Sequence, residues 1–134
     1  MGMDSFPTAL GLAAAIRSKE IGPVEAVDAC IERIDRWNPS LNAVVWRDDD
    51  QARADARAVA QRLADGDEVG PFAGVPISVK DLTRAAGQPA TFGSAGASDV
   101  PCTEDELVVA ALRRAGFVLC GRTNTTEFGP LTVT

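Results

Sequence analysis

The sequence predicts an α/β protein in which helices lead and a parallel strand pair follows. Three observations carry this reading. Apolar residues recur at helical spacing through the first half of the chain. Two short apolar runs, Val75–Lys80 and Phe117–Gly121, then bracket an amphipathic segment in the order β-loop-α-β. The composition is that of a globular domain, 46% hydrophobic and 24% charged over 134 residues.

The elements follow in order. Leu10, Ala13, Ala14, Ala15 and Ile16 mark a helix over Thr8–Lys19, interrupted by Gly22-Pro23. Pro23 suits the first turn of a second helix, since its missing N–H has no partner there. Val24, Val27, Cys30, Ile31, Ile34 and Trp37 continue that helix until Asn38-Pro39, where a proline is expected to stop it. Leu41–Trp46 is short and β-rich. Asp48-Asp49-Asp50 places acids where a helix dipole favours them. The third helix carries Ala52, Ala56, Val59, Ala60 and Leu63 on one side and ends at Asp65-Gly66-Asp67. Gly70–Gly74 turns into the strand Val75–Lys80, and a loop rich in Gly, Ser and Ala runs from Ala85 to Asp99. Thr103 and Glu106 have capping-box spacing ahead of a helix Leu107–Ala115, with Gly116 as its stop. Phe117–Gly121 reads as a strand buried on both faces and parallel to Val75–Lys80 through a right-handed crossover. Such a sheet needs more strands and covering helices than these residues provide. With the apolar Gly129–Thr134 at its end, the sequence reads as one piece of a larger α/β protein.

Charge and residue counts exclude several functions. The net charge of −6 argues against a nucleic-acid partner, which calls for a basic face. No apolar run approaches the ~18 residues that span a bilayer. The start, Met1–Pro7, has no basic region of a secretory signal. There is no histidine, so a Ser-His-Asp triad, a Cys-His pair and His-ligated metal are all absent. Tyrosine is absent too, which leaves Lys, Asp, Glu or Cys as any base. Cys30, Cys102 and Cys120 are odd in number and lack Cys-x-x-Cys spacing, the pattern of a reduced, cytoplasmic protein. Cys30 and Cys120 sit in apolar stretches and read as small core residues. No metal or organic cofactor is implied.

Lys80 is the leading candidate for chemistry. It is one of two lysines against eleven arginines and it ends a strand. By alternation Ile77 and Val79 share one face while Ser78 and Lys80 share the other. Ligands of open α/β sheets bind beyond the carboxyl ends of strands, and a desolvated lysine can serve as a base. A surface lysine paired with Asp81 is the simpler alternative on residue chemistry alone. Gly93-Ser94-Ala95-Gly96 lacks the G-x-S-x-G pattern of a nucleophile elbow and reads as a flexible loop. Thr123–Phe128 either contacts ligand or satisfies backbone groups in a tight loop, the second being favoured. Asp48–Asp50 lacks the alternation of a calcium loop and reads as a helix start.

Gly74–Asp81 resembles the lysine segment of the amidase signature family, and Gly121–Gly129 resembles its second block. Thr91–Ser94, the helix before Gly116 and Arg33–Val44 are similar as well, so the likeness covers nearly the whole chain. The resemblance implies a mixed central β-sheet flanked by helices, incomplete here: a helical region over about 1–68 and the start of the α/β core over 69–134. It implies amide C–N hydrolysis by a Ser-cisSer-Lys triad, with Lys80 as the ultimate base and no cofactor. Both catalytic serines of the family lie in a Gly/Ser-rich segment beyond the Asn-x-x-Glu-Phe block, and this chain stops before it. None of Ser5, Ser18, Ser40, Ser78, Ser94 and Ser98 is therefore a nucleophile candidate. The expectation is an inactive chain from an active parent acting on a small amide, with neither nucleic acid nor membrane as partner. A homodimer or a complementing C-terminal fragment is the expected protein partner. The alternatives are a truncated non-catalytic remnant and the amidase subunit of a glutamine-dependent tRNA amidotransferase.

Overall fold

In the computed structural model, residues 8–131 are described. The start Met1–Pro7, with Ser5, and the last part of Gly129–Thr134 lie outside them. Helix α1 spans Ala9–Arg17, with Thr8 Oγ1 accepting from Gly11 N at 3.1 Å. Helix α2 spans Pro23–Leu41; Pro23 opens it, and the Glu25 carboxylate accepts from Gly22 N at 3.5 Å. It passes through Pro39, against the stop expected at Asn38-Pro39. The reason is local. Asn38 clasps β1 (Val44–Trp46), donating to Val44 O and accepting from Val44 N, both at 2.8 Å. Asn42, in the left-handed region at φ 48°, then closes the last turn with its N–H on Asn38 O. A proline near the end of a helix removes only one N–H, and the clasp holds the turn around it.

Helix α3 spans Asp49–Asp65, capped by Asp48, whose carboxylate accepts from Gln51 N at 2.9 Å. Gly66 ends it at φ 76°. Strand β2 is Pro76–Lys80, helix α4 is Leu107–Arg114 and strand β3 is Val118–Thr123. The Thr103/Glu106 capping box does not form: Glu106 is the N-cap of α4 and makes no side-chain bond there. That stretch is tied instead to the loop after β2. Glu106 N donates to Arg84 O at 3.0 Å, and the Asp105 carboxylate accepts from Ala86 N at 2.7 Å while pairing with Arg113 at 3.0 Å.

The sheet has the order β1-β3-β2. β2 and β3 are parallel, as the β-loop-α-β reading requires, and β1 pairs antiparallel with β3. Between Ile77↔Leu119 and Ser78↔Gly121 the register slips by one, leaving Cys120 as an extra residue on β3. Helices cover both faces. Val118 and Cys120 pack with Val27, Ile31, Ala52 and Ala56 of α2 and α3. Leu119, Val79 and Ile77 pack with Val109 and Leu112 of α4. Helix α1 covers the strand starts, where Leu12, Ala13 and Ile16 meet Val75, and Phe72 stacks on Phe117 at 4.6 Å between ring centres. Not every apolar face finds a partner among the described residues. Leu107 is 88% exposed on α4, and Phe128 and Leu131 are each 66% exposed beyond β3.

Candidate active site

Lys80 is the last residue of β2, opposite Thr123 in the register with β3, and its side chain is exposed. The strand places it at the carboxyl end of a parallel pair, the position where open sheets bind ligands. Its backbone is fixed on both sides. Thr83 N donates to Lys80 O, and Asp81 N to Thr123 O, each at 3.0 Å. Ile77 and Val79 lie together against α4, so the alternation expected of this strand is kept.

Lys80 is exposed among the described residues, as the surface-lysine alternative expected and unlike the desolvated lysine of the other reading, but the structure gives Asp81, its expected partner, another one. Asp81 is buried and faces Arg122 of β3, which is fully buried, at 3.4 Å between Oδ1 and Nη2. The Asp81 carboxylate also accepts from Thr91 N at 3.0 Å and from the Thr91 hydroxyl. Arg122 Nη2 in turn donates to Thr83 O. One buried carboxylate and one buried guanidinium thus tie three segments together: the end of β2, the turn after it and the loop reaching Thr91. Arg122 Nε and Nη1 have no partner among the described residues. Sequence reasoning missed this pair. The signal was two opposite charges, each placed just after an apolar strand run; the register of β2 on β3 was needed to bring them together.

The weaker candidates resolve as structural. Ser94 Oγ donates to Glu127 Oε1 at 2.6 Å, which joins the two loops beyond the strand ends. Phe128 N donates to Phe92 O at 2.7 Å across the same seam, and the two rings stack at 6.4 Å. Gly93 sits where a Cβ would lie 2.7 Å from Thr125 O, so only glycine lets the loops approach this closely. Asn124 accepts from Thr125 N at 2.8 Å and donates to Asn42 O at 3.2 Å. Thr126 Oγ1 donates to Leu131 O at 3.2 Å. These polar groups serve the backbone, as the tight-loop reading held. Asp48 is a cap, Asp49 pairs with Arg47 and Asp50 with Arg53. Among the described residues no group of three or more His, Cys, Asp or Glu could hold a metal ion, and no helix is long and apolar enough to cross a membrane.

Cys30 and Cys120 meet between α2 and β3. A hydrogen bond from the Cys120 thiol, then the charge of Arg33, lowers the pKa of Cys30 against the opposing effect of burial. The same bond, with burial, pushes the Cys120 thiol up.

Comparison with known proteins gives one consistent answer. The sequence profile of the family described as Amidase matches residues 25–134. An acylamidase of Rhodococcus erythropolis is 40% identical over 122 residues, covering 91% of this chain and 26% of that protein. One of the subunits of the glutamyl-tRNA(Gln) amidotransferase of Acidothermus cellulolyticus is 40% identical over 121 residues, covering 90% of this chain and 24% of its own length. The crystal structure of a bacterial aryl acylamidase of the amidase signature family superposes with a TM-score of 0.83 at 31% identity, over 92% of this chain and 26% of that one. The chain spans about a quarter of the length of these relatives. The mixed sheet, its covering helices and the profile match over most of the sequence agree: this chain belongs to the Amidase family.

Proposed function

We propose that this chain is the lysine-bearing part of an amide hydrolase, with Lys80 as the base that activates a serine supplied from outside these residues. One observation carries the reading. Lys80 stands at the carboxyl end of a parallel strand whose last peptide is braced by the buried Asp81–Arg122 pair, so its side chain projects from a rigid element. In the reaction, the lysine amine takes the serine proton through an intervening serine, and the serine oxygen attacks the amide carbon. The amine leaves with a proton, and water then cleaves the acyl-enzyme to carboxylic acid and free serine. The absence of histidine fits a lysine base. The proposed division is a helical lead up to about residue 68, followed by the start of the catalytic core. A reduced, cytoplasmic setting suits the three free cysteines. The proposed partner is a small amide substrate, with a second copy or a complementing C-terminal segment completing the fold.

The test is to read the coding DNA past Thr134 and to express the continued chain beside the 134-residue one. An aryl acylamide should be hydrolysed by the longer protein, by its Lys80→Ala variant at under a thousandth of that rate, and by the short chain not at all. Undiminished turnover by Lys80→Ala in the longer protein removes Lys80 from the mechanism. Turnover by the short chain above its own Lys80→Ala control refutes the need for outside serines. A stop codon after Thr134 in the native gene selects the non-catalytic remnant. The equal identity to an amidotransferase component supports a second reading, in which the amide is glutamine and the ammonia passes to a partner. Glutaminase activity that appears only with partner subunits selects it.

A further inference from the structure

We propose that Cys30 and Cys120 form an oxidative modification site, in which a peroxide crosslinks α2 to β3 through a disulfide. The two residues come from different elements: Cys120 belongs to the core cluster with Val27, Ile31, Ala52, Ala56 and Val118, and Cys30 packs against that cluster. Their environments differ in the way a reactive and a resolving thiol require. Cys30 is only partly buried and lines an open apolar cavity of about 540 Å³, with Ile34, Trp37, Leu41 and Val44 on its walls. A small neutral oxidant reaches it from solvent through that mouth. Cys120, in the same core cluster, is 1% exposed, and its thiol donates to Val118 O at 3.7 Å. The slip in the β2–β3 register leaves Cys120 as the residue without a strand partner, and its side chain falls on the α2 face.

The chemistry balances with peroxide as the oxidant. The Cys30 thiolate attacks a peroxide oxygen, the O–O bond breaks, and Cys30 becomes a sulfenic acid as hydroxide leaves. The Cys120 sulfur then attacks the sulfenic sulfur. The S–O bond breaks, the S–S bond forms, and the departing hydroxide takes the Cys120 proton as water. Two thiols and one hydrogen peroxide thus give one disulfide and two waters. Cys30 suits the first step, since the thiolate is the reactive form and its hydrogen bond from Cys120 and the Arg33 charge favour it. Two thiols are too few for a metal centre, and among the described residues no third ligand stands beside them. Cys102 is placed apart. It bridges to Ala86, next to Ala85, which packs against Leu119 on the opposite face of the sheet.

The test uses the 134-residue chain, hydrogen peroxide and peptide mapping. In native buffer the free thiols should fall from three to one per chain, with Cys30 and Cys120 linked, Cys102 still alkylatable, and dithiothreitol restoring all three. In urea the preference should change, because Cys102 and Cys120 close the shortest loop of an unfolded chain. Cys120→Ser should stop Cys30 at the sulfenic acid, trapped by dimedone, and Cys30→Ser should leave Cys120 unmodified. If either variant fails to fold, the wild-type map decides alone. A native link through Cys102, or oxidation of Cys30 beyond the sulfenic acid with Cys120 still reduced, overturns the proposal.

Discussion

The Asp81–Arg122 pair gives the sharpest test of how the strand end is held. Both groups are buried, so removing either leaves its partner charged and out of water; such losses cost about 3–5 kcal/mol. The two losses are not equal. Without Arg122, Asp81 keeps the N–H and hydroxyl of Thr91, and a carboxyl group can neutralise itself by taking up a proton. Without Asp81, Arg122 keeps only Thr83 O, and a guanidinium cannot shed its proton. Asp81→Ala should therefore fall at the upper end, about 5 kcal/mol, and Arg122→Met nearer 3 kcal/mol. With a urea slope of about 2 kcal/mol/M, the midpoints should drop by about 2.5 M and 1.5 M. Asp81→Leu combined with Arg122→Met should recover most of the loss, because no charge is then left buried. The assay is urea unfolding followed by far-UV circular dichroism and by tryptophan fluorescence. A midpoint shift below 0.5 M for Asp81→Ala (~1 kcal/mol at that slope) would refute the account, as would a larger loss in Arg122→Met than in Asp81→Ala.

Other outcomes follow from single contacts. Gly121→Ala should cost about 2–3 kcal/mol in the same urea assay, because its Cβ would lie 2.7 Å from Trp46 O at φ 152° and push β1 off β3. Asp48→Ala should cost about 1 kcal/mol through loss of the cap on α3, with Asp48→Asn near neutral. Iodoacetamide should reach half-maximal labelling of Cys30 at a lower pH in the folded chain than in urea. The sign follows from its lowered pKa: the thiolate fraction rises earlier on the pH axis, and Cys120→Ala, which removes the donor, should move the profile back up.

Much of this is legible in the residues, and the failures are instructive. The order of elements, the parallel β2–β3 pair and the position of Lys80 at a strand end all follow from local pattern. Alternation is short-range, and Ile77 and Val79 obey it. What escapes the sequence depends on contacts between distant segments. Pro39 stays helical because Asn38 reaches forward to Val44, a bond invisible to helix-stop rules. The Thr103/Glu106 spacing looks like a cap, yet Asp105 takes the competing role with Ala86 and Arg113. Adjacency in sequence pairs Asp81 with Lys80, and only the register of β3 brings Arg122 to it. Residue types single out Lys80 as a candidate; the brace behind it is a product of topology.

The strand order β1-β3-β2 also dictates when the fold can assemble. Among the described residues β1 and β2 do not bond to each other; each pairs with β3, which is later in the chain than both. During synthesis at ~5–20 residues per second, β1 therefore waits on the order of ten seconds for its partner. Helices α2 and α3 can meet in that interval, but the surface they share has no Val118 or Cys120 to close on. Until β3 emerges, the nascent chain therefore carries an unfilled apolar seam and two unpaired strands, the stage of synthesis at which it is most exposed to aggregation.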